Sequence, residues 1–276
     1  APRRLGSSTL AALSVPPERL ADVAARVSAR PEVNHNYERE HRYNLWFVVT
    51  TPDQEMLERT LDGIAADTGC PVISLPLVEE FHIDLGFDLG GGGNGKRLAG
   101  HVCDGGPDGI ASRHEPTYAE RRLLAALQPG LDLVARPFAP LADKAGMSED
   151  EVIGRLAAWL DQGLIKRFGV VVRHRELGYT ANAMVVFDVP DDEVSAVGAR
   201  LAHAPGVTLC YRRRRHLPEW PYNLFCMVHG RSREEVAPVI EQLCALAGHP
   251  CEALFSTRRF KQCGARYFDG GDAARN

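Results

Sequence analysis

The chain has 276 residues, 45% of them hydrophobic and 25% charged, with a formal net charge of -4. Such a composition excludes a disordered polymer, and it lacks the basic footprint of a dedicated nucleic-acid binder. The length suits about two domains. The 7 cysteines (Cys70, Cys103, Cys210, Cys226, Cys244, Cys251 and Cys263) are odd in number and form no C-x-x-C pair. That pattern argues against a disulfide framework and a zinc site and fits a reducing compartment, the cytoplasm. No apolar run reaches about 18 residues, so no membrane helix is expected.

Two stretches of the chain echo each other. Leu5-Gly6 leads to Val15-Pro16, and Leu177-Gly178 leads to Val189-Pro190. Pro31-Val33 with Tyr37 matches Pro205-Val207 with Tyr211, and Tyr43-Asn44-Leu45 matches Tyr222-Asn223-Leu224. In the first repeat the apolar spacing predicts strand Thr9–Val15, helix Pro17–Ser28, strands Val33–Tyr37 and Tyr43–Val49, helix Asp53–Thr68 and strand Val72–His82. In the second it predicts strand Ala181–Val189, helix Asp191–Ala202, strands Val207–Arg214 and Tyr222–His229, helix Arg233–Ala247 and strand Glu252–Phe260. The order β-α-β-β-α-β is the ferredoxin-like motif. Two such sheets in one chain are expected to pair as a built-in pseudo-dimer.

Between the repeats, residues 89–117 read as a Gly-rich linker. Gly90 to Lys96 fits the opening of a phosphate-binding loop, but Arg97 stands where Ser or Thr should hold magnesium, so a nucleotide site is not expected. From Tyr118 to Phe168 the pattern is helical: Glu120–Leu127, Phe138–Ala145, then Glu151–Gln162 behind a Ser148–Glu151 capping box. Leu164–Val172 follows as a strand. Three helices, a turn and a strand outline a winged helix-turn-helix. Its last helix opens on Glu149, Asp150 and Glu151, which would repel a phosphate groove. DNA is therefore not the expected partner.

The residues suited to chemistry lie mainly in the second repeat. Arg173-His174-Arg175 follows an apolar strand, where period-two alternation separates the histidine from the arginines. An imidazole beside an anion site is a natural proton donor near neutral pH. Tyr211 precedes Arg212-Arg213-Arg214-Arg215-His216, and on a strand Arg212 and Arg214 share a face and converge on a carboxylated ligand. Trp220, set in a Pro-flanked insertion absent from the first repeat, is suited to wall a flat aromatic ligand. His229 ends the next strand. Glu38-Arg39-Glu40 stands in the first repeat where the second has arginines, so one working site, chiefly from the second repeat, is expected.

The run Leu164-Ile165-Lys166-Arg167-Phe168-Gly169, then Arg173-His174-Arg175-Glu176-Leu177-Gly178-Tyr179 and Ala181-Asn182-Ala183-Met184, resembles the siroheme decarboxylases. Trp220-Pro221-Tyr222-Asn223-Leu224 with Met227 and His229-Gly230 matches a second segment of that signature. The resemblance spans nearly all of Tyr118 to Phe268, and the whole chain looks like the fused two-unit form of haem d1 biosynthesis. It implies an α+β fold: two ferredoxin-like Lrp/AsnC-type ligand-binding domains (residues 1–88 and 169–276), the linker 89–117 and a winged helix-turn-helix (118–168). It departs in that no helix-turn-helix pattern precedes the first repeat.

The implied reaction removes carbon dioxide from the C12 and C18 acetates of siroheme, giving 12,18-didecarboxysiroheme. His174 would give or relay the proton, with His216 or His229 as a second acid or an iron contact. Arg173, Arg175, Arg212 and Arg214 would hold carboxylates, while Tyr211, Trp220, Tyr222 and Asn223 would line the macrocycle. No cofactor beyond the iron-containing substrate and no protein-held metal is expected. Expected partners are siroheme, a second copy of the chain and companion decarboxylase subunits, with no membrane. Two other readings share these residues: a DNA-binding regulator that senses a small ligand, and a tetrapyrrole carrier without activity.

Overall fold

The computed structural model describes residues 6–83, 116–162, 164–165 and 178–264. The Gly90–Lys96 segment, most of the strand predicted from Leu164 to Val172, and the Arg173-His174-Arg175 triplet lie outside the described residues.

The first repeat forms β1 (Ser7–Leu13), α1 (Leu20–Ala29), β2 (Val33–Arg39), β3 (Leu45–Thr51), α2 (Gln54–Thr68) and β4 (Val72–Ile83). A helix-turn-helix unit follows: α3 (Tyr118–Leu127), α4 (Ala139–Ala145) and α5 (Glu149–Asp161). The second repeat forms β5 (Ala181–Phe187), α6 (Val194–Ala202), β6 (Val207–Arg213), β7 (Leu224–Gly230), α7 (Arg233–Ala247) and β8 (Cys251–Gln262). Local chemistry is repeated along with the order. The Asp53 side chain accepts from the Met56 N–H to open α2, and Ser232 accepts from the Glu235 N–H to open α7. Both helices end on glycines in the left-handed region, Gly69 (φ 66°) and Gly248 (φ 70°), where a side chain would be strained.

The strands close into one ring in the order β1-β3-β2-β8-β5-β7-β6-β4. The long strands β4 and β8 make the closure. The start of β4 pairs with β1, then its second half crosses to β6 of the other repeat. Likewise β8 pairs first with β5 and then with β2. The two sheets are thus continuous through shared strands rather than stacked as separate halves, which is how the expected pseudo-dimer is realised. Phe81, on the crossing half of β4, lies so close to Gly198 of α6 that a Cβ there would stand 2.2 Å from its ring. That contact requires glycine in a helix interior.

Alternation along the strands divides the apolar residues into three cores. Ala11, Leu13, Leu45, Phe47 and Val49 pack under α1 and α2. Val185, Phe187, Leu224, Cys226 and Val228 pack under α6 and α7. Inside the ring, Ala12, Trp46, Ile73, Leu75, Met184, Val186, Phe225 and Leu254 gather around Trp220. The helix-turn-helix unit has its own core of Leu123, Leu141, Val152, Leu156 and Trp159. Its α5 is opened by the predicted capping box of Ser148 and Glu151, and α3 by a second box of Thr117 and Glu120.

One expectation is corrected. The odd cysteine count predicts free thiols, but Cys244 and Cys251 are disulfide-bonded. The left-handed Gly248 cap turns the chain so that β8 starts against the last turn of α7, with the two Cα atoms 6.0 Å apart. No helix among the described residues is long and apolar enough to cross a membrane.

Candidate functional site

β6 carries the arginine run past the inside of the ring. A bulge between Val207 and Leu209 shifts the alternation, so Tyr211 pairs with Phe225 on the inner face and Arg212 with Leu224 on the helix-covered face. Arg213 therefore points inward. Its guanidinium donates to the Leu75 carbonyl (3.0 Å) and lies over the rings of Tyr211 (5.5 Å) and Phe225 (5.9 Å). Desolvation pushes its pKa down to about 10, so it stays cationic at neutral pH. Arg212 lies 3.6 Å from Asp191, Arg215 is held by Asp188 at 2.7 Å, and the Arg214 side chain is exposed. Arg212 and Arg214 thus sit away from the interior, and Arg213 between them faces it.

The first repeat holds an equivalent of Arg213. Counted from Val33 and Val207, Arg39 corresponds to Arg213. Arg39 is buried (7% exposed) and donates to the Leu254 carbonyl at 2.9 Å. Leu75 and Leu254 are themselves equivalents on β4 and β8. Each repeat thereby sends one buried guanidinium into the backbone of the other across the strand junction.

Trp220 closes the ring interior at the loop end. It is fully buried, with ring centroids 5.0 Å from Trp46 and Tyr222, 5.4 Å from His41, 6.0 Å from Tyr43 and 6.4 Å from Phe225. The loop that carries it contains a cis Leu217–Pro218 peptide and is pinned by paired backbone bonds between His216 and Trp220. The His216 side chain is half-buried on that loop. Tyr222 donates its hydroxyl to Glu252 (2.9 Å), and His41 Nε2 lies 3.6 Å from the same carboxylate. Burial and then the Glu252 bond raise the Tyr222 hydroxyl to about 12.

Asn223 is used internally. Its amide accepts from the Val189 N–H (3.1 Å) and donates to the Val189 carbonyl (2.9 Å), as Asn44 does with Val15 at 3.0 and 2.8 Å. The shared Tyr-Asn-Leu sequence therefore fastens the loop after the first strand of each repeat.

His229 lies in a polar strip on the inner face: Asn182 Nδ2 is 2.8 Å from its Nε2, and Thr208 Oγ1 is 2.9 Å from its Nδ1. The Arg39 guanidinium completes the strip, 3.4 Å from Asn182 Oδ1. Sequence reasoning missed Arg39, Arg213, Asn182, Thr208, His41 and Glu252. The available signal was the matched Tyr-x-Arg at Tyr37 and Tyr211.

Burial holds both His35 and His41 below the ordinary imidazole value of 6.5, in His41 against the pull of Glu252. The native state then binds fewer protons than the unfolded chain just below that value. Their contribution to stability is complete above about pH 6.5 and is lost as the pH falls further. Urea unfolding should show a lower midpoint at pH 5.5 than at 7.5. The double variant His35→Gln/His41→Gln should flatten that difference, and an unchanged slope would contradict the assignment.

The family profile described as the AsnC-like ligand binding domain matches residues 4–82 and 176–261, and that of the siroheme decarboxylase NirDL-like HTH domain matches residues 120–166. The siroheme decarboxylase NirDL subunit of Paracoccus pantotrophus is 48% identical over 274 residues, covering 96% of this chain and 79% of that protein. The chain belongs to the siroheme decarboxylase family. A second relative in this family, the NirH subunit of the same organism, is 44% identical over 158 residues, 56% of this chain and 98% of its own. The crystal structure of the siroheme decarboxylase NirDL in complex with an iron-uroporphyrin III analogue superposes with a TM-score of 0.70 at 30% identity, over 99% of this chain and 78% of that one. Two AsnC-like ligand-binding domains thus flank a helix-turn-helix domain in this α+β chain.

Proposed function

We propose that this protein is a siroheme decarboxylase that removes carbon dioxide from the C12 and C18 acetates of siroheme, a step toward haem d1. The observation that carries the reading is the match to siroheme decarboxylase NirDL in both sequence and fold, over 96% of this chain and 79% of that protein in sequence. Each half reads as a ferredoxin-like unit, since its strands follow the order 4-1-3-2 expected of that motif. The helix-turn-helix reads as winged, residues 118–168 forming one domain between 1–88 and 169–276, with 89–117 as linker.

The chemistry follows from the substrate. An acetate that loses carbon dioxide leaves its bonding electron pair on the methylene, which takes up one proton to become a methyl. No net oxidation occurs, and no cofactor beyond the substrate's own iron is invoked. His174, between Arg173 and Arg175, supplies or relays that proton. Arg213 adds a fixed positive charge at the ring interior, while Arg212 and Arg214 offer charge from the outer face and loop. Guanidinium forks on several carboxylates would orient the macrocycle. Tyr211 and Tyr222 supply the aromatic wall, while Trp220, expected to face the ligand, is fully buried and packs behind Tyr222. The NirH and NirDL relatives are named as subunits, which supports a companion subunit; pairing of two copies through the ferredoxin-like domains is part of the proposal. The free thiols of Cys70, Cys210, Cys226 and Cys263 support the cytoplasm, and the Cys244–Cys251 bond counts against it.

The regulator reading is disfavoured by α5. Its first turn holds Glu149, Asp150 and Glu151, and hydrogen bonds from Ser148 keep the Glu151 carboxyl below the usual range. Anaerobic incubation with siroheme, then mass spectrometry of the extracted tetrapyrrole, tests the proposal. Loss of two carbon dioxide units is expected. Intact siroheme that remains bound would favour a carrier, and no binding together with a salt-sensitive DNA gel shift would favour a regulator.

A further inference from the structure

We infer that Arg39, on the first repeat, is a positioning residue that sets the hydrogen-bonding state of His229 on the second. One amide, that of Asn182, couples the two side chains. Arg39 NH1 and NH2 both lie 3.4 Å from Asn182 Oδ1, and Arg39 NH1 also reaches the Leu254 carbonyl. A guanidinium has donors and no acceptor. Asn182 must therefore turn its oxygen to Arg39, which leaves its NH2 aimed at His229 Nε2, 2.8 Å away. That ring nitrogen must accept.

In a neutral imidazole one nitrogen accepts and the other donates, so the proton sits on Nδ1. Its partner is Thr208 Oγ1 at 2.9 Å, whose own hydroxyl hydrogen is committed to the Met227 carbonyl at 3.1 Å. The chain of bonds therefore runs one way, from Arg39 to Asn182 to the ring, with each donor facing an acceptor. The opposite arrangement would set an amide NH2 against a guanidinium.

Among the described residues the strip occurs once. The equivalent of Arg39 is Arg213, but where the second repeat has the facing pair Asn182 and His229, the first has Ser8 and Thr50. The side chain that defines His229 thus comes from the repeat with the poorer set of chemical groups. If the decarboxylase reading holds, and this consequence rests on it, His229 is not the group that donates a proton to the new methyl. Its Nε2 lone pair is taken up by Asn182 and its Nδ1 proton by Thr208, and the acid must be sought at His174 or His216.

Long-range 1H–15N spectra of the full chain labelled at its 10 histidines give the test, with His229→Asn identifying the His229 signals. The wild-type ring should show a protonated Nδ1 and an unprotonated Nε2. Asn182→Asp replaces the donor with a second acceptor and should move a proton onto Nε2. Arg39→Lys, still a pure donor, should keep the wild-type pattern, and Arg39→Met should lose its single tautomer. A protonated Nε2 in the wild type, or an unchanged ring in Asn182→Asp, would overturn the inference. If Arg39→Met does not fold, the Asn182→Asp spectrum still decides. No substrate is present, so the outcome is separate from whether siroheme is decarboxylated.

Discussion

Replacing His174 with alanine lowers carbon dioxide release by about 10²- to 10⁴-fold, the usual range for removing a general acid, while siroheme still binds. The methylene left by decarboxylation is a strong base only while its electron pair is unprotonated, and the back-reaction competes until a proton arrives. A positioned acid therefore controls the net rate more than it controls affinity. On the proposed assignment the flanking Arg173 and Arg175 hold carboxylates, so the variant keeps its grip. An absorbance titration of siroheme should give near wild-type saturation, and single-turnover product analysis should give the rate. Near-normal turnover in His174→Ala would remove that residue from the mechanism and turn attention to His216.

Trp220→Ala should cost about 3–5 kcal/mol of stability, as for other buried aromatic truncations. The indole has no exposed surface and meets rings from both repeats: Tyr43 and Trp46 from one, Tyr222 and Phe225 from the other. Deleting it opens a cavity where β3 and β7 face each other across the ring, and the neighbours are aromatic and already packed. Trp220→Phe retains part of the stack and should lose less. Urea unfolding at constant m-value checks the magnitude. A loss below about 1 kcal/mol would mean that the loop collapses to refill the site, and Trp220 would then not be the wedge between the repeats.

Much of the fold is legible in the sequence because its signals are local. Asp53, Ser148 and Ser232 announce helix starts, and the apolar spacing of α2 and α7 places those helices within about a residue of their observed limits. The closure of the ring is not legible. The second halves of β4 and β8 look like any strand, and nothing in Leu77–Ile83 tells that its partner is β6 of the other repeat. The phase of the arginine run is hidden for another reason. Period two says that alternate residues share a face, but the bulge after Val207 decides which set turns inward. Arg213 lies inside for that reason, and Arg39 for the matching irregularity between Val33 and His35.

The same comparison bears on the expected division of labour. Reading Glu38-Arg39-Glu40 against the arginine-rich equivalent suggests an idle first repeat. Burial shows otherwise, because Arg39 reaches across β8 to Asn182 while its two acidic neighbours do not share its inward direction. Asn223 illustrates the converse. It belongs to a family signature, yet its amide is taken up by Val189 and Asp191 in holding a loop. A residue can therefore mark the family through its role in folding rather than through contact with substrate.

The most direct measurement of the central claim is the reaction run anaerobically in D2O, with the tetrapyrrole extracted and weighed by mass spectrometry. Decarboxylation followed by protonation from an exchangeable acid predicts a product lacking two carbon dioxide units and carrying one deuteron in each new methyl at C12 and C18. Siroheme recovered with all its carboxylates, after incubation under conditions where it is bound, would contradict the account.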